Sequence, residues 1–192
     1  SSDLMLSYKE YFKEAVITEK PPHRPDYLSK KIKYESGEHF LKGSKHIGSV
    51  GGLELHAKEN PGGGMTHFTR DSKTGLIHHV LTNVNTEKSG DKKRLGFLTM
   101  HKREGSPVSG HQLYHHLITH HNIELKGTSH SHGAAKSWKK LASNPDIKIH
   151  GEHPDGTKVE LKHEDIGTSK THVSPDSKDP VKKMALIATR RT

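Results

Sequence analysis

The chain has 192 residues with only 29% hydrophobic and 5% aromatic content, a formal net charge of +9 and 19 histidines. Ordinary globular domains are roughly 45–50% apolar with glycine included, so this composition predicts one modest core with long solvated segments. The absence of cysteine excludes disulfides and thiolate metal sites. No apolar run approaches the roughly 18 residues of a membrane span, so we expect a soluble protein with no membrane partner and with a polyanion such as DNA as its partner.

The N-terminal third contains one amphipathic pattern, in residues 1–17. Ser7 stands in the N-cap position with Glu10 three residues later, which is capping-box spacing. The apolar side chains recur at intervals of three and four: Leu4, Tyr8, Tyr11, Phe12 and Ala15. We therefore predict a short N-terminal helix. Residues 18–45 are rich in Lys, Pro and Ser, and they predict an extended linker.

The next segment reads as consecutive strands. Alternating and apolar runs are separated by clusters of turn residues at 60–64, 71–75 and 86–92. The predicted strands are Ile47–His56, Met65–Arg70, Leu76–Asn83 and Arg94–Lys102. Short polar turns between strands of this length favour an antiparallel meander.

After the meander the hydrophobic period changes to that of helices. We predict helices over Ser109–His121 and Gly133–Ser143, a strand over Ile123–Thr128, and a hairpin turning at His153–Gly156. Each helix has one apolar face to bury, which a sheet can cover. The predicted fold class is therefore α/β (α+β), with a mixed, mostly antiparallel sheet and two covering helices in residues 46–165.

Residues 166–192 are predicted to form a basic C-terminal tail. Its apolar centre, Met184–Ala188, lies between Lys and Arg residues. This centre either docks on the body as a terminal strand or helix, or belongs to a tail that touches DNA.

The strand–turn–helix order from Leu95 onwards resembles the second half of a GCN5-related N-acetyltransferase (GNAT) domain. In that family the turn carries an Arg/Gln-x-x-Gly-x-Gly/Ala signature, whose amides and helix N-terminus hold the pyrophosphate of coenzyme A. The matching turn here runs from Gly105 to Gly110 and keeps only the last glycine. Val108 occupies the first glycine position and predicts a branched side chain in the path of the pyrophosphate. If coenzyme A binds, the resemblance implies Ser109, Gly110 and His111 as its contacts.

Residues Ser7 to Ala15 resemble the capsid-targeting leader of internal head proteins in T4-type tailed phages. In those proteins a protease cuts after a glutamate during head assembly. The resemblance implies a cut between Glu14 and Ala15, and a location in the virion, inside the capsid, or in the host cytoplasm.

The sequence offers no clear set of catalytic residues. Glu124 or His150 could act as a base, and Tyr114 or a hydroxyl as an acid, in acetyl transfer. The resemblance to GNAT domains implies a tyrosine acid in the helix after the second core strand, but the helix predicted after Ile123–Thr128 contains no tyrosine. We therefore predict no catalytic residue, and no cofactor unless the protein is an acetyltransferase.

Histidines recur one helical turn apart in the first predicted helix, at His111 and His115 and again at His116 and His120. That spacing can place two imidazoles on a metal ion. Such pairs arise easily by chance at this histidine content, so we predict no metal site. Imidazoles on an exposed helix face instead leave the charge tunable and can contact nucleic acid.

Basic residues cluster beside the predicted ends of the sheet. The predicted DNA-contacting residues are Lys92, Lys93, Arg94, Lys102, Arg103, Lys136, Lys139 and Lys140. Their spread favours backbone contacts without reading of the base sequence. The leading hypothesis is thus a phage virion-associated basic protein of the internal head type, with a catalytically degenerate GNAT-like fold and non-specific DNA association. The alternatives are an active acetyl-CoA-dependent N-acetyltransferase, or a structural capsid or tail component that contacts other phage capsid proteins.

Overall fold

The structure is a computed structural model that describes residues 38–127, 132–166 and 184–192. The predicted N-terminal helix and leader, with the processing residues Glu14 and Ala15, lie outside the described residues. So does the predicted linker up to residue 37.

The described part of the chain contains nine strands and three α-helices. The helices are α1 (Glu38–Leu41), α2 (Gly110–His120) and α3 (His132–Ala142), and a short 3-10 helix follows at His163–Asp165. The strands are β1 (Lys45–Val50), β2 (Leu53–Glu59), β3 (Met65–Arg70), β4 (Ile77–Ser89), β5 (Lys92–Lys102), β6 (Ile123–Gly127), β7 (Ile147–Glu152), β8 (Lys158–Leu161) and β9 (Ala185–Arg190).

The nine strands form one mixed sheet in the order β1-β2-β3-β4-β5-β6-β9-β7-β8. Strands β5 and β6 are parallel, and the other described pairs are antiparallel. The predicted fold class, a mostly antiparallel mixed sheet with two covering helices, is confirmed.

Two turns of the meander differ from the prediction. The predicted strand Ile47–His56 divides into β1 and β2, because Gly51 and Gly52 adopt φ values of 55° and 83° that permit a tight turn. The predicted loop at 86–92 is largely strand, since pairing of β4 with β5 continues to Ser89↔Lys92. Only Gly90 and Asp91 remain to connect the two strands, which is the length of a tight hairpin.

The final described strand confirms one of the two alternatives for Met184–Ala188, a terminal strand docked on the body, and shows that the predicted tail over 166–192 does not include these residues. Strand β9 pairs with β6 on one side and with β7 on the other, and Ala185 to Ala188 are buried. An apolar run between two strands is stabilised by burial and by ladder hydrogen bonds on both edges. Similarly, α1 and the first residue of β1 lie within the predicted linker at 18–45.

Helices α2 and α3 pack against one face of the sheet. Helix α2 buries Leu113, Leu117 and Ile118, and α3 buries Trp138 and Leu141, in a cluster with apolar side chains from the strands. On the opposite face α1 places Phe40 against Phe68, Ile77 and Val80. Neighbouring residues of a strand point to opposite faces, so β4 contributes Leu81 to the first cluster and Val80 to the second.

Histidine and threonine fill much of the interior that apolar residues would occupy in an ordinary domain. The buried polar set includes Thr66, His67, Thr69, His79, Thr82, Thr99 and His101. This substitution explains how a chain of low hydrophobic content builds a sheet of this size. Among the described helices, none has the length and apolar composition needed to cross a membrane.

Candidate functional site

The parallel pair β5–β6 opens at its carboxyl end. Pairing runs from Lys93↔Ile123 to Gly96↔Lys126, and β6 ends at Gly127 whereas β5 continues to Lys102. A helix follows each of the two strands, so α2 and α3 both begin at this end of the sheet. Ligands of open α/β sheets bind beyond the carboxyl ends of strands where neighbouring connections diverge. We call the region formed by Phe97–Lys102, the turn 103–109 and the first turn of α2 the β5–β6 edge.

Phe97 marks the point where β5 leaves β6. Its φ is 56°, in the left-handed region that bulky residues avoid. The pairs Asn83↔Leu98 and Asn85↔Gly96 flank it without a register shift, so Phe97 lies opposite Val84. Both side chains are exposed, at 45% and 57%.

The backbone reversal at Phe97 has a packing consequence. In a regular strand Leu95 and Leu98 would point to opposite faces, yet both contact the core beneath α2 and α3. The left-handed conformation of Phe97 therefore allows Leu95 and Leu98 to pack in the same core. Strain of this kind costs about 1–3 kcal/mol and is concentrated at functional sites.

The N-terminus of α2 is capped, but the cap leaves out the backbone amides of two residues that were predicted to contact coenzyme A. Ser109 Oγ accepts a hydrogen bond from the Gln112 amide at 3.3 Å, and Gln112 Oε1 accepts one from the Ser109 amide at 2.7 Å. The amides of Gly110 and His111 take no part in this capping box. They are two of the orphan N–H groups that give a helix N-terminus its affinity for anions.

Val108 does not obstruct the edge, which corrects the prediction from its position in the turn. Its side chain is 2% exposed and belongs to the core beneath the helices. Its carbonyl oxygen accepts a hydrogen bond from His79 Nε2 at 2.8 Å. The free energy of burying the isopropyl group turns it inward, away from solvent at the edge.

His79 also contacts Thr69 of β3, and two further contacts fix the turn to β4. His79 Nδ1 lies 2.7 Å from Thr69 Oγ1, and burial lowers the pKa of His79 to about 4, so the ring is neutral. Arg103 Nε donates to the Ile77 carbonyl at 2.6 Å. His78 Nδ1 lies 2.9 Å from Ser106 Oγ. The edge is thus held by a rigid connection, which is the arrangement a binding site requires.

The structure divides the predicted DNA-contacting residues between two ends of β5. Lys102, Lys136 and Lys140 are exposed, and Arg103 and Lys139 are partly exposed. Lys92 and Lys93 lie at the start of β5, about 30 Å from Lys102 at the rise of an extended strand. These residues therefore do not make one continuous patch.

Besides Arg103, two members of that predicted set bind other residues of the chain. Lys92 Nζ donates to Thr189 Oγ1 at 2.8 Å. Arg94 Nε donates to Glu124 Oε2 at 3.0 Å, and Arg94 Nη1 lies 3.5 Å from Glu152 Oε2.

Of the three residues considered for acid–base chemistry, the structure brings two together. Glu124 and His150 lie on the sheet face away from α2, because their strand neighbours Ile123 and Ile149 point into the helix-covered core. Burial lowers the pKa of His150, the charges of Lys158 and Arg94 lower it further, and Glu124 and Glu152 oppose the shift. Tyr114 instead packs on the helix side.

The helix histidines are arranged differently from the predicted pairs. His111 Nδ1 lies 2.8 Å from Ser109 Oγ, and His115 Nε2 lies 3.4 Å from Asp146 Oδ2, so these two bind separate partners. The rings of His116 and His120 stack at 4.5 Å. His121, which has no helical spacing to His116 and was missed, lies with its Nε2 3.3 Å from His116 Nε2. No group of three or more His, Asp or Glu side chains within the described ranges is arranged to hold a metal ion.

Comparison of the chain with protein-family models, with curated proteins and with solved structures finds no match. Any assignment of function is therefore a proposal from the geometry described above and from the resemblances in the sequence.

Proposed function

We propose that the protein binds acetyl-CoA at the β5–β6 edge and transfers the acetyl group to an amine, as the resemblance to GNAT domains implies. The observation that carries the proposal is the separation of β5 from β6 at the strained residue Phe97, beside the start of α2. The inward position of Val108 supports it, since the isopropyl group is packed in the core and does not project from the turn into solvent.

The start of α2 fits the pyrophosphate of such a ligand. The Gly110 and His111 amides lie outside the capping box, and the helix dipole favours negative charge beside them. Lys102 ends β5 at the same edge and Lys136 lies in the first half of α3, so exposed cations add to the positive potential there.

The part of β5 that extends beyond its pairing with β6 fits the extended arm of coenzyme A. From Phe97 to Lys102 no described strand pairs with β5 on the β6 side. Peptide groups at the edge of a sheet can form hydrogen bonds with a further extended chain. An extended ligand that carries amides can therefore occupy the place of a neighbouring strand. The arm would then point towards Gly96 and Lys126, which form the last pair between β5 and β6.

His150 is the residue we assign as proton acceptor. Bound acetyl-CoA would supply a thioester carbonyl for attack by the amine, which must lose a proton. The lowered pKa keeps His150 neutral at pH 7, and its buried Nε2 has no hydrogen-bond partner in the described part of the chain. A neutral imidazole with an unused nitrogen is a suitable base. Glu124 is less suitable because Arg94 holds its carboxylate in an ion pair.

Calorimetric titration with coenzyme A tests the binding step. Gly110 is the first helical residue, where proline is tolerated, and Ser109 before it is extended with φ −81° and ψ 160°. Gly110→Pro therefore removes one amide without breaking the helix, whereas Gly110→Ala keeps the amide and meets only an ordinary contact at Met100. We expect wild type and Gly110→Ala to bind alike and Gly110→Pro to bind about tenfold more weakly. The proposal fails if wild type does not bind, or if all three bind equally.

Release of free thiol from acetyl-CoA in the presence of primary amines tests the transfer step. We expect His150→Gln to slow release by at least about a hundredfold with coenzyme binding unchanged. His153→Gln, in the turn after β7, is the matched control and keeps the wild-type rate. Binding without any release of thiol would leave a coenzyme-binding fold that has lost catalysis.

Non-specific association with DNA is a second candidate function, favoured by the exposure of Lys102, Lys136 and Lys140 together with the net charge of +9. Phosphate contacts of this kind give a binding constant that falls linearly with salt on logarithmic axes. Replacing Lys102 and Lys136 with Gln should reduce that slope by about 2 for duplex DNA. Replacing Lys88 and Lys158, which are exposed on other strands, is the control and leaves the slope unchanged.

The internal-head hypothesis adds a location to this second candidate. It proposes that the protein enters the phage capsid through residues 1–17 and is cut between Glu14 and Ala15. Mass spectrometry of purified particles tests both points: it should detect the protein with Ala15 as its first residue. Absence of the protein from particles would refute the hypothesis. A full-length chain in particles would refute only the cut.

A further inference from the structure

A pair of histidine nitrogens meets at the end of α2 that is remote from the β5–β6 edge. His116 lies in the last two turns of α2, and His121 is the C-cap residue that follows it. Their Nε2 atoms are 3.3 Å apart, with the two ring planes inclined by 52°. The pair plays no part in the proposed acetyl transfer.

This separation suits joint coordination of one metal ion. Imidazole nitrogens bind Zn²⁺ at about 2.0–2.1 Å, so two such ligands on a tetrahedral or octahedral ion lie about 2.9–3.4 Å apart. Burial lowers the pKa of both histidines, and nearby imidazoles lower it further. A neutral imidazole with its proton on Nδ1 presents the Nε2 lone pair that a metal ion needs.

The surroundings leave room at the two nitrogens. Gly48 of β1 lies over the pair, and a side chain there would place its Cβ 3.6 Å from His121 Nε2 and 3.9 Å from His116 Nε2. Glycine at this position leaves that space open. The His120 ring stacks on the His116 ring and helps to fix its orientation.

We propose that His116 and His121 form a two-histidine site for a divalent transition-metal ion of the Zn²⁺, Ni²⁺ and Cu²⁺ class, with water completing the coordination. These are the ions for which imidazole is a preferred ligand. A site with two protein ligands and several waters is open and exchangeable, so it would take up metal reversibly. It would also join the end of α2 to the segment that leads into β6.

Titration of the metal-free chain with ZnCl₂, followed by calorimetry, tests the site. His116→Gln and His121→Gln should each weaken the tightest binding event by roughly tenfold or more, since loss of even an outer-shell partner costs about that much. His115 lies on the same helix, but its imidazole contacts Asp146. The His115→Gln variant should therefore bind Zn²⁺ as the wild type does. Equal affinity in all four proteins would assign the binding to other histidines and overturn the proposal.

Nuclear magnetic resonance of the wild-type chain gives a readout that does not depend on how the variants fold. Substoichiometric Zn²⁺ should shift the ring ¹⁵N resonances of His116 and His121 together, before those of other histidines. If the pair is only a hydrogen bond, one Nε2 stays protonated and neither resonance shifts first. That outcome would also overturn the proposal.

Discussion

Arg94 Nε lies 3.0 Å from Glu124 Oε2, and this ion pair crosses from β5 to β6 two residues before the strands separate. The two side chains are only 12% and 11% exposed. A second carboxylate, Glu152 of β7, lies 3.5 Å from Arg94 Nη1. One guanidinium thus serves two acidic groups on the sheet face opposite α2, so its removal deletes both ion pairs.

Replacing Arg94 with Met should lower the free energy of unfolding by about 3 kcal/mol, because buried carboxylates without a cation are costly. Urea denaturation measures the change. Arg191→Met is the matched control, since Arg191 pairs with Glu160 while their side chains are 50% and 55% exposed. It should cost about 0.5 kcal/mol. Equal losses of unfolding free energy in the two variants would mean that burial does not increase the contribution of the Arg94 ion pair to stability.

Stability should fall steeply between pH 6.5 and pH 4. Burial lowers the pKa of both His67 and His79 from 6.5 to about 4. Between these pH values the two histidines bind protons in the unfolded chain but not in the folded chain. Their contribution to stability is therefore complete above pH 6.5 and is lost as the pH falls. Each histidine contributes up to about 1.4 kcal/mol per pH unit. Urea midpoints across this range measure the slope, and His79→Gln should make it shallower. An unchanged slope would contradict the assignment.

The contact between Gly51 and Val108 predicts a difference between two glycine variants. Gly51 and Gly90 both have left-handed φ, at 55° and 62°. A Cβ at Gly51 would meet Val108 Cγ2, whereas a Cβ at Gly90 meets nothing within 4 Å. Gly90→Ala should cost about 1 kcal/mol from backbone strain, and Gly51→Ala about 3 kcal/mol because overpacking is added. Thermal melts of the two variants give the comparison, and equal costs would argue against tight packing of Val108.

Phe97 should tolerate glycine better than alanine. Alanine normally stabilises a strand over glycine by about 0.5–1 kcal/mol, but at a φ of 56° it keeps the strain that glycine relieves. We expect Phe97→Gly to exceed Phe97→Ala in free energy of unfolding by about 1 kcal/mol. The pair Leu98→Gly and Leu98→Ala is the control and should show the usual order. The usual order at Phe97 as well would remove the strain argument for the β5–β6 edge.

Elements specified by local sequence could be predicted closely. Helix α2 was expected over Ser109–His121 and spans Gly110–His120, because Ser109 and Gln112 supply a capping box beside a clear apolar stripe. The hairpin of β7 and β8 turns where the Pro154-Asp155-Gly156 sequence indicates, with the His153 amide bonded to the Thr157 carbonyl. Neither needs information from distant parts of the chain.

Features set by distant contacts could not be predicted. The place of β9 depends on pairing with β6 and β7, which no pattern within Ala185–Arg190 specifies. The inward turn of Val108 depends on space above Gly51 and on the His79 side chain. The approach of His121 to His116 arises because the helix ends between them, which breaks the spacing that sequence reasoning uses.

The position of β9 also constrains how the chain is made. It is the last of the nine described strands along the sequence, yet it lies between β6 and β7. During synthesis those two strands emerge from the ribosome before the strand that joins them, so each presents an unpaired edge in the meantime. The nascent chain therefore cannot complete its sheet until Arg190 has been released from the exit tunnel. A premature stop before Ala185 would remove β9 altogether, and the product would keep two unpaired strand edges, on β6 and on β7.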